Sequence, residues 1–169
     1  TVGEPRERFE EDALRIIRGL RFQAQLDFKI VDNTFDAMRK QIADIQYLSI
    51  ERIVVELKKL IKGINVAQSF NQMKEIDAFK HIPFFNSFNM QRVHIDEPLE
   101  FEMWIAIMLA QQPITDTLKL LKISNNEKSK IHTLANLIET LPKVQSKSDL
   151  IIVIYDNDIK NIKNVLATK

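Results

Sequence analysis

Apolar residues recur at helical spacing along most of this 169-residue chain, and no other feature limits its possible folds so strongly. In the first segment they share one side of a 3.6-residue period: Phe9, Ala13, Ile16, Ile17, Leu20 and Ala24. The chain contains only three glycines and five prolines, which leaves few turn signals for a protein of many short strands. The sequence therefore predicts an all-α protein.

The composition excludes several kinds of site. Because the chain has no cysteine, it forms no disulfide, thiolate nucleophile or cysteine metal site. The formal net charge of +1 gives no global argument for nucleic-acid binding, so any such site must be local. No apolar run approaches the ~20 residues that span a membrane. We therefore expect a cytoplasmic globular protein with no membrane association.

Capping signals predict where the helices begin. Pro5 suits the first turn of a helix that continues without a break to about Ala24. The N-caps predicted after it are Asn33 or Thr34, Ser49 and Ser124, and a further helix is predicted to run from Asn65 to about Phe79. Gly63 has the position of the C′ glycine that often ends a helix.

The last third leaves two local choices. The β-branched run from Leu150 to Tyr155 suits a helix or a buried strand; we predict a helix, because no partner strand is visible. Asp156 and Asp158 follow this run and could bind Mg²⁺ at a strand end. A turn between two helices is the better interpretation, because no glycine after Gly63 could form a phosphate-binding loop.

The polar face of the first predicted helix concentrates charged pairs. Glu11 and Arg15 are i,i+4 neighbours, and Asp12 and Arg15 are i,i+3 neighbours, so both acids could brace one guanidinium. Gly19 lies one turn further along the same face. A glycine inside a helix costs about 1 kcal/mol relative to alanine, and one reason to keep it is the close approach of a flat ligand.

Two interpretations of this face remain open. An aspartate beside an arginine complements a nucleobase edge, since the acid accepts from an exocyclic amino group and the arginine donates to a ring nitrogen or carbonyl oxygen. The alternative is an ordinary amphipathic helix with salt bridges, because such pairs are common on helix surfaces.

Other candidate groups give weaker signals. The phenylalanines Phe79, Phe84, Phe85 and Phe88 could stack on bases, but core packing is the simpler interpretation. The histidines His81, His94 and His132 lie on different predicted elements and form no metal motif. A lysine excess in the last third could contact RNA phosphates or simply be solvated: Lys119, Lys122, Lys128, Lys130, Lys143, Lys147, Lys160 and Lys163.

The segment from Val2 to Phe22 contains Arg-Phe-x-Glu-Asp-Ala-Leu-Arg followed by Arg-x-x-Arg-Phe. It resembles the signature of the class II tRNA nucleotidyltransferases, the family of bacterial CCA-adding enzymes and poly(A) polymerases. Phe28, Thr34 and the Ser49–Leu57 segment resemble the family's following helices. The resemblance is strong over residues 1–62 and extends beyond them only in helical character.

This resemblance implies a role for each residue of the motif. Asp12 and Arg15 would pair with the Watson–Crick edge of CTP or ATP, and Glu11 would hold Arg15. The resemblance gives a less specific role, in phosphate binding or helix anchoring, to Arg8 and Arg18, and it is compatible with an approach over Gly19. Residues of the later motif would be structural: Ser49, Glu51 and Arg52.

The resemblance also implies a helical neck bundle over residues 1–63 and a helical, tRNA-binding body over residues 64–169. The family's catalytic Mg²⁺ ligands lie in an N-terminal head domain that has no counterpart here, so we expect these residues alone to be inactive. The expected parent is an enzyme that adds CCA to tRNA 3′ ends from CTP and ATP. The alternatives are a poly(A) polymerase of the same family and a helical protein-interaction module.

Overall fold

The computed structural model describes residues 3–88, 95, 97–110, 112 and 114–167. These residues form α-helices and short 3₁₀ turns without a strand, which confirms the predicted all-α class. The α-helices are α1 (Pro5–Glu11), α2 (Leu14–Leu26), α3 (Asp32–Gln41), α4 (Ile50–Leu60), α5 (Val66–Glu75), α6 (Ala78–His81), α7 (Phe101–Leu109), α8 (Ile114–Leu120), α9 (Asn125–Thr140), α10 (Lys147–Asp156) and α11 (Ile159–Ala167). The 3₁₀ turns cover Ile42–Tyr47, Pro83–Ser87 and Leu141–Lys143.

The first helix begins at Pro5 as predicted, but it is not continuous. Asp12 adopts an extended backbone conformation (φ −156°, ψ 101°), which ends α1 and separates it from α2. The sequence pattern does not reveal this break, because the apolar residues keep the helical period across it. Phe9 of α1 and Ile16 and Ile17 of α2 are all buried in the same core.

The first five helices pack together, with α2 at their centre. The apolar side of α2 faces α4 and α5, and α3 lies against α1. Ser49 caps α4 as predicted, because its Oγ accepts from the backbone N–H of Arg52 at 3.4 Å. The predicted boundary at residue 63 is crossed by this packing: Ser69 of α5 donates through Oγ to the carbonyl of Leu20 at 2.9 Å. The two-domain division stays a prediction.

Gly63 does not act as the predicted C′ glycine. Its backbone is not left-handed, and α4 ends earlier, at Leu60. A Cβ at this position would lie 2.4 Å from the carbonyl carbon and oxygen of Ala24 in α2. Asn65 donates its N–H to that same carbonyl at 3.0 Å. Gly63 is therefore required by the close approach of two backbones rather than by the end of a helix.

The aromatic segment after α5 is core, as the simpler interpretation predicted. Phe84 and Phe85 are almost completely buried. The Trp104 ring of α7 packs edge-on against Phe70 at 5.1 Å and tilted against Phe85 at 5.8 Å. Because these rings contact one another inside the protein, they are not available to stack on bases.

The C-terminal helices also follow their local signals. Ser124 caps α9 as predicted and forms a capping box with Glu127, with Ser124 Oγ accepting from the Glu127 N–H. The run from Leu150 to Tyr155 is helical and belongs to α10, which confirms helix over strand. Within the described residues, no helix combines the length and the apolar character needed to span a bilayer.

Candidate functional site

Asp12 stands at the junction of α1 and α2, and both of its carboxylate oxygens are held. Oδ1 accepts from the backbone N–H of Leu14, the first residue of α2, at 3.1 Å. Oδ2 accepts from Nη2 of Arg52 at 2.8 Å, across 40 residues of sequence. The Asp12 side chain is 23% exposed, so the carboxylate is fixed but still reachable from solvent.

Arg15 lies on the first turn of α2 and is held by α1. Its Nη1 donates to Oε2 of Glu11 and, at 2.8 Å, to the backbone carbonyl of Arg8. Arg8 also donates to both Glu11 oxygens, at 2.9 and 3.0 Å. The hydrogen bonds from Arg15 and then Arg8 lower the pKa of the Glu11 carboxyl, so Glu11 stays ionised beside the two guanidiniums.

This arrangement differs in one respect from the one that spacing predicted. Glu11 braces Arg15 as expected, but in the described part of the chain Asp12 pairs with Arg52 and not with Arg15. The reason is the break at Asp12, which turns its side chain away from an i,i+3 position on a continuous helix. Asp12 and Arg15 remain within one turn, since the Arg15 N–H donates to the Asp12 carbonyl at 3.0 Å.

A cleft of about 570 Å³ opens beside Asp12. Asp12, Asp44, Tyr47 and Arg52 contribute to its walls, together with Glu10 and Glu11 of α1. Tyr47 is 81% exposed, which leaves an aromatic surface free at the mouth of the cleft. The cleft brings acceptors, one guanidinium and one aromatic ring together, a combination suited to a planar polar ligand.

Gly19 has a packing role that the sequence did not reveal. A Cβ at this position would lie 2.5 Å from the terminal methyl of Met38. Met38 belongs to α3 and is buried, so its side chain fills the space above the α2 backbone. The glycine is therefore explained by helix packing, without the flat ligand that its position on the polar face suggested.

Arg18 anchors α2 to α4 through the carboxylate of Glu56, a residue of the Ser49–Leu57 segment. Glu56 is 4% exposed, and its Oε1 accepts from Nε of Arg18 at 3.0 Å. Its Oε2 lies 3.3 Å from Nε of Arg21. Of the two predicted roles of Arg18, this contact favours anchoring. The sequence signal for this contact was Glu56 itself, a single acid among the apolar positions of α4, together with the two arginines of α2.

The later motif combines local and distant contacts. Ser49 caps α4, and Glu51 is exposed in the first helical turn, where a negative charge favours the helix dipole. Arg52 was predicted to be only structural, yet it reaches the Asp12 carboxylate directly. Nothing within α4 itself could have indicated that contact.

The remaining candidates lie apart from this site. Asp158 Oδ1 accepts from the N–H of Lys160 at 2.8 Å, so the Asp156–Asp158 segment is the predicted turn between α10 and α11. His81 ends α6, His132 lies on α9, and His94 is outside the described residues. Across the described residues, no group of three or more His, Asp or Glu side chains could hold a metal ion.

Comparisons with known proteins agree with the sequence resemblance. A family model described as the probable RNA and SrmB-binding site of polymerase A matches residues 27–89. The CCA-adding enzyme of Staphylococcus epidermidis is 59% identical over 167 residues, and that of Staphylococcus haemolyticus is 51% identical. Each alignment covers 99% of this chain but only 42% of the relative, so the chain spans about two fifths of these proteins.

Solved structures show the same fold. The crystal structure of Bacillus stearothermophilus CCA-adding enzyme in complex with CTP matches 99% of this chain and 45% of its own, with a TM-score of 0.76 and 21% identity. A chain from a structure titled tRNA-processing enzyme complex 3 matches 95% of this chain, with a TM-score of 0.64 and 14% identity. At these identities the likeness concerns the arrangement of helices alone.

Proposed function

Since the chain is homologous to a part of the CCA-adding enzymes, we propose that it selects the incoming nucleotide and binds tRNA within a longer tRNA nucleotidyltransferase. The observation that carries this proposal is the arrangement of Asp12 and Arg15 at the α1–α2 junction. The longer protein would add C and A to tRNA 3′ ends from CTP and ATP. Because tRNA is the substrate, its place would be the cytoplasm.

Unused hydrogen-bonding capacity supports the selection of CTP and ATP. Nε and Nη2 of Arg15 have no hydrogen-bond partner among the described residues, since Glu11 and the Arg8 carbonyl occupy only Nη1. A carboxylate oxygen can accept two hydrogen bonds, so Asp12 can take one more at each oxygen while it accepts from Leu14 and pairs with Arg52.

The pattern of free groups matches two of the four bases. Cytosine and adenine each present an exocyclic amino donor beside a ring-nitrogen acceptor on the Watson–Crick edge, whereas guanine and uracil present a carbonyl and a ring N–H there. Asp12 would accept from the amino group, and Arg15 would donate to the ring nitrogen. Guanine or uracil would place an acceptor against Asp12 and a donor against Arg15, which both side chains disfavour.

The restraints on these two side chains are part of the proposal. Glu11 and the Arg8 carbonyl fix the Arg15 guanidinium, and Leu14 and Arg52 fix the Asp12 carboxylate. A site that is fixed before the base arrives loses little side-chain entropy on binding and therefore discriminates better.

Phosphates of tRNA would be bound elsewhere on the surface. Six of the predicted lysines carry no ion pair among the described residues: Lys122, Lys128, Lys143, Lys147, Lys160 and Lys163. The other two, Lys119 and Lys130, pair with Asp116 and Glu102. Free lysines are suited to phosphate contacts, whose strength falls as salt rises.

The Mg²⁺ expected for nucleotide transfer would be held outside this part of the protein. The described residues offer no cluster of three candidate ligands, so we assign none of them to the ion. The residues here therefore bind and orient the base, while the reacting groups belong to the rest of the enzyme.

Nucleotide incorporation by the longer protein tests the proposal. We expect Arg15→Ala and Asp12→Ala to reduce the preference for CTP and ATP over UTP and GTP by about tenfold to a hundredfold, the effect of losing base contacts worth ~1–3 kcal/mol. The measured quantity is the ratio of kcat/KM values on a tRNA that lacks its 3′ CCA. This ratio does not depend on how much of a variant is folded.

Matched controls come from α1. Arg6→Ala and Glu7→Ala remove exposed charges of the same types next to the site and should leave the preference unchanged. Unchanged nucleotide preference in both Arg15→Ala and Asp12→Ala would refute the assignment of base selection to this junction. Long A tracts without C would identify the longer protein as a poly(A) polymerase, and absence of any incorporation would favour an interaction module.

A further inference from the structure

Tyr47 presents an aromatic ring that the described part of the protein leaves uncovered. It is the last residue of the 3₁₀ turn Ile42–Tyr47 and is 81% exposed. Among the described residues, none hydrogen-bonds to its hydroxyl or contacts its ring. The folded chain therefore gains little from this side chain, and the ring is open to a ligand.

The backbone that carries Tyr47 is nevertheless held on both sides. Ile42 and Ile45 of the same turn are buried, and the Leu48 N–H donates to the Ile45 carbonyl at 3.1 Å. Ser49, two residues after Tyr47, caps α4. A tyrosine side chain has only two rotatable bonds, so a ring on a fixed backbone loses little conformational freedom when it meets a ligand.

Tyr47 lines the same cleft of about 570 Å³ as Asp12. The Asp12 carboxylate can accept hydrogen bonds from the edge of a flat ligand, and an aromatic ring can cover the face of that ligand. Phe9 and Ala13 add apolar surface to the walls. A nucleobase combines these needs, because its edge is polar and its two faces are not.

The charges of the cleft determine which end of a nucleotide can enter it. Its walls contain four acids and one arginine: Glu10, Glu11, Asp12, Asp44 and Arg52. Such an acidic surface repels a triphosphate and attracts groups that donate hydrogen bonds. The amino group of a base therefore fits the cleft, and the phosphates fit outside it.

We propose that Tyr47 stacks on the base of the incoming CTP or ATP while Asp12 accepts from the amino group of that base. This role rests on the proposed function and adds a residue that holds the base whatever its identity. Every base has a π face, so stacking on an aromatic side chain tolerates all four bases. Tyr47 therefore supplies affinity, whereas Asp12 and Arg15 supply the choice of nucleotide.

Nucleotide incorporation by the Tyr47→Ala variant of the longer protein tests the stack. We expect the KM for CTP and for ATP to rise about tenfold, the scale of losing one base–aromatic contact. The value of kcat should change little, because stacking holds the base equally in the ground state and the transition state. The rise should be larger for ATP, since adenine has the larger ring system. The preference for CTP over UTP should stay as it is.

Three variants serve as controls. Tyr47→Phe keeps the ring and should keep the parent KM, whereas Tyr47→Leu keeps apolar volume without a π face and should resemble Tyr47→Ala. Tyr155, the other tyrosine of the chain, is 88% exposed on α10 and is not among the residues that line the cleft. Tyr155→Ala should therefore leave both KM values unchanged.

Fluorescence separates stacking from a structural effect. Tyr47→Trp places an indole in the cleft, whereas Trp104, the only tryptophan of the chain, is buried. Titration of the longer protein with ATP should quench the emission of Tyr47→Trp more than that of the parent, because a stacked base quenches an indole.

Several results would overturn the proposal. An unchanged KM for both nucleotides in Tyr47→Ala would mean that the ring does not hold the base. A KM that rises for the tRNA instead would assign the ring to the terminal base of the RNA. Equal impairment of Tyr47→Phe and Tyr47→Ala would assign the effect to the hydroxyl. The proposed function fails on a different result, an unchanged nucleotide preference in Asp12→Ala and Arg15→Ala, so the two failures are distinguishable.

Discussion

Replacing Glu56 by alanine should destabilise the protein more than any surface charge change on the same helix. Glu56 of α4 is 4% exposed and lies between two arginines of α2. Its Oε1 is 3.0 Å from Nε of Arg18, and its Oε2 is 3.3 Å from Nε of Arg21. This carboxylate is therefore the charged link between two central helices.

The expected loss of unfolding free energy depends on whether each arginine can regain water once the Glu56 carboxylate is removed. The Arg21 side chain is only 13% exposed, so it would remain desolvated without its carboxylate. The Arg18 side chain is 43% exposed and can regain water. Removing one partner of a buried pair typically costs ~3–5 kcal/mol, and the freedom of Arg18 places the expected loss at about 3 kcal/mol. For a chain of this length that lowers the Tm by roughly 10 °C.

Urea unfolding followed by far-ultraviolet circular dichroism measures this loss. Glu51→Ala is the matched control, because Glu51 is an exposed acid of α4 with only a helix-dipole contribution, and it should cost less than ~1 kcal/mol. If Glu56→Ala lowered the free energy of unfolding no more than Glu51→Ala does, the pairing with Arg18 and Arg21 would not be a source of stability.

Three further changes test the packing and the charges around the core. Gly63→Ala should cost about 3 kcal/mol or prevent folding, because its Cβ would lie 2.4 Å from the backbone of α2. Gly19→Ala should change stability by less than ~1 kcal/mol, since its Cβ meets only the flexible end of Met38 and alanine favours a helix. Burial raises the pKa of the Glu127 carboxyl, but hydrogen bonds from Lys58 and from its capping serine outweigh this and lower the pKa to about 2. Because that pKa lies below the unfolded value near 4.5, the stabilisation is complete above about pH 5 and is lost as the pH falls towards 2. The free energies of unfolding of wild type and Glu127→Gln should therefore differ by about 2 kcal/mol at pH 7 and converge near pH 2.

Two results would contradict these predictions. Equal thermal stabilities of the Gly63→Ala and Gly19→Ala proteins would contradict the backbone contact at Gly63. A pH-independent difference between wild type and Glu127→Gln would mean that the ionised Glu127 carboxylate is not the stabilising group.

Local sequence signals determined most of the secondary structure. The helical period, the start at Pro5 and the caps at Ser49 and Ser124 are all present in the structure. These signals act within a few residues, so a single stretch of sequence contains all the groups involved. The same is true of the Glu11–Arg15 pair, which joins neighbouring turns. The motif around Asp12 also carried the resemblance to the CCA-adding enzymes, to which the chain is similar.

Only the tertiary structure decided how that motif is built. The break at Asp12 preserves the apolar period on both sides, so no pattern revealed it. The partner of Asp12 is Arg52, 40 residues away, and the partner of Arg18 is Glu56, 38 residues away. Gly63 is explained by a backbone that belongs to another helix. Such contacts depend on which helix faces meet, and that is settled by packing the whole core rather than by any segment alone.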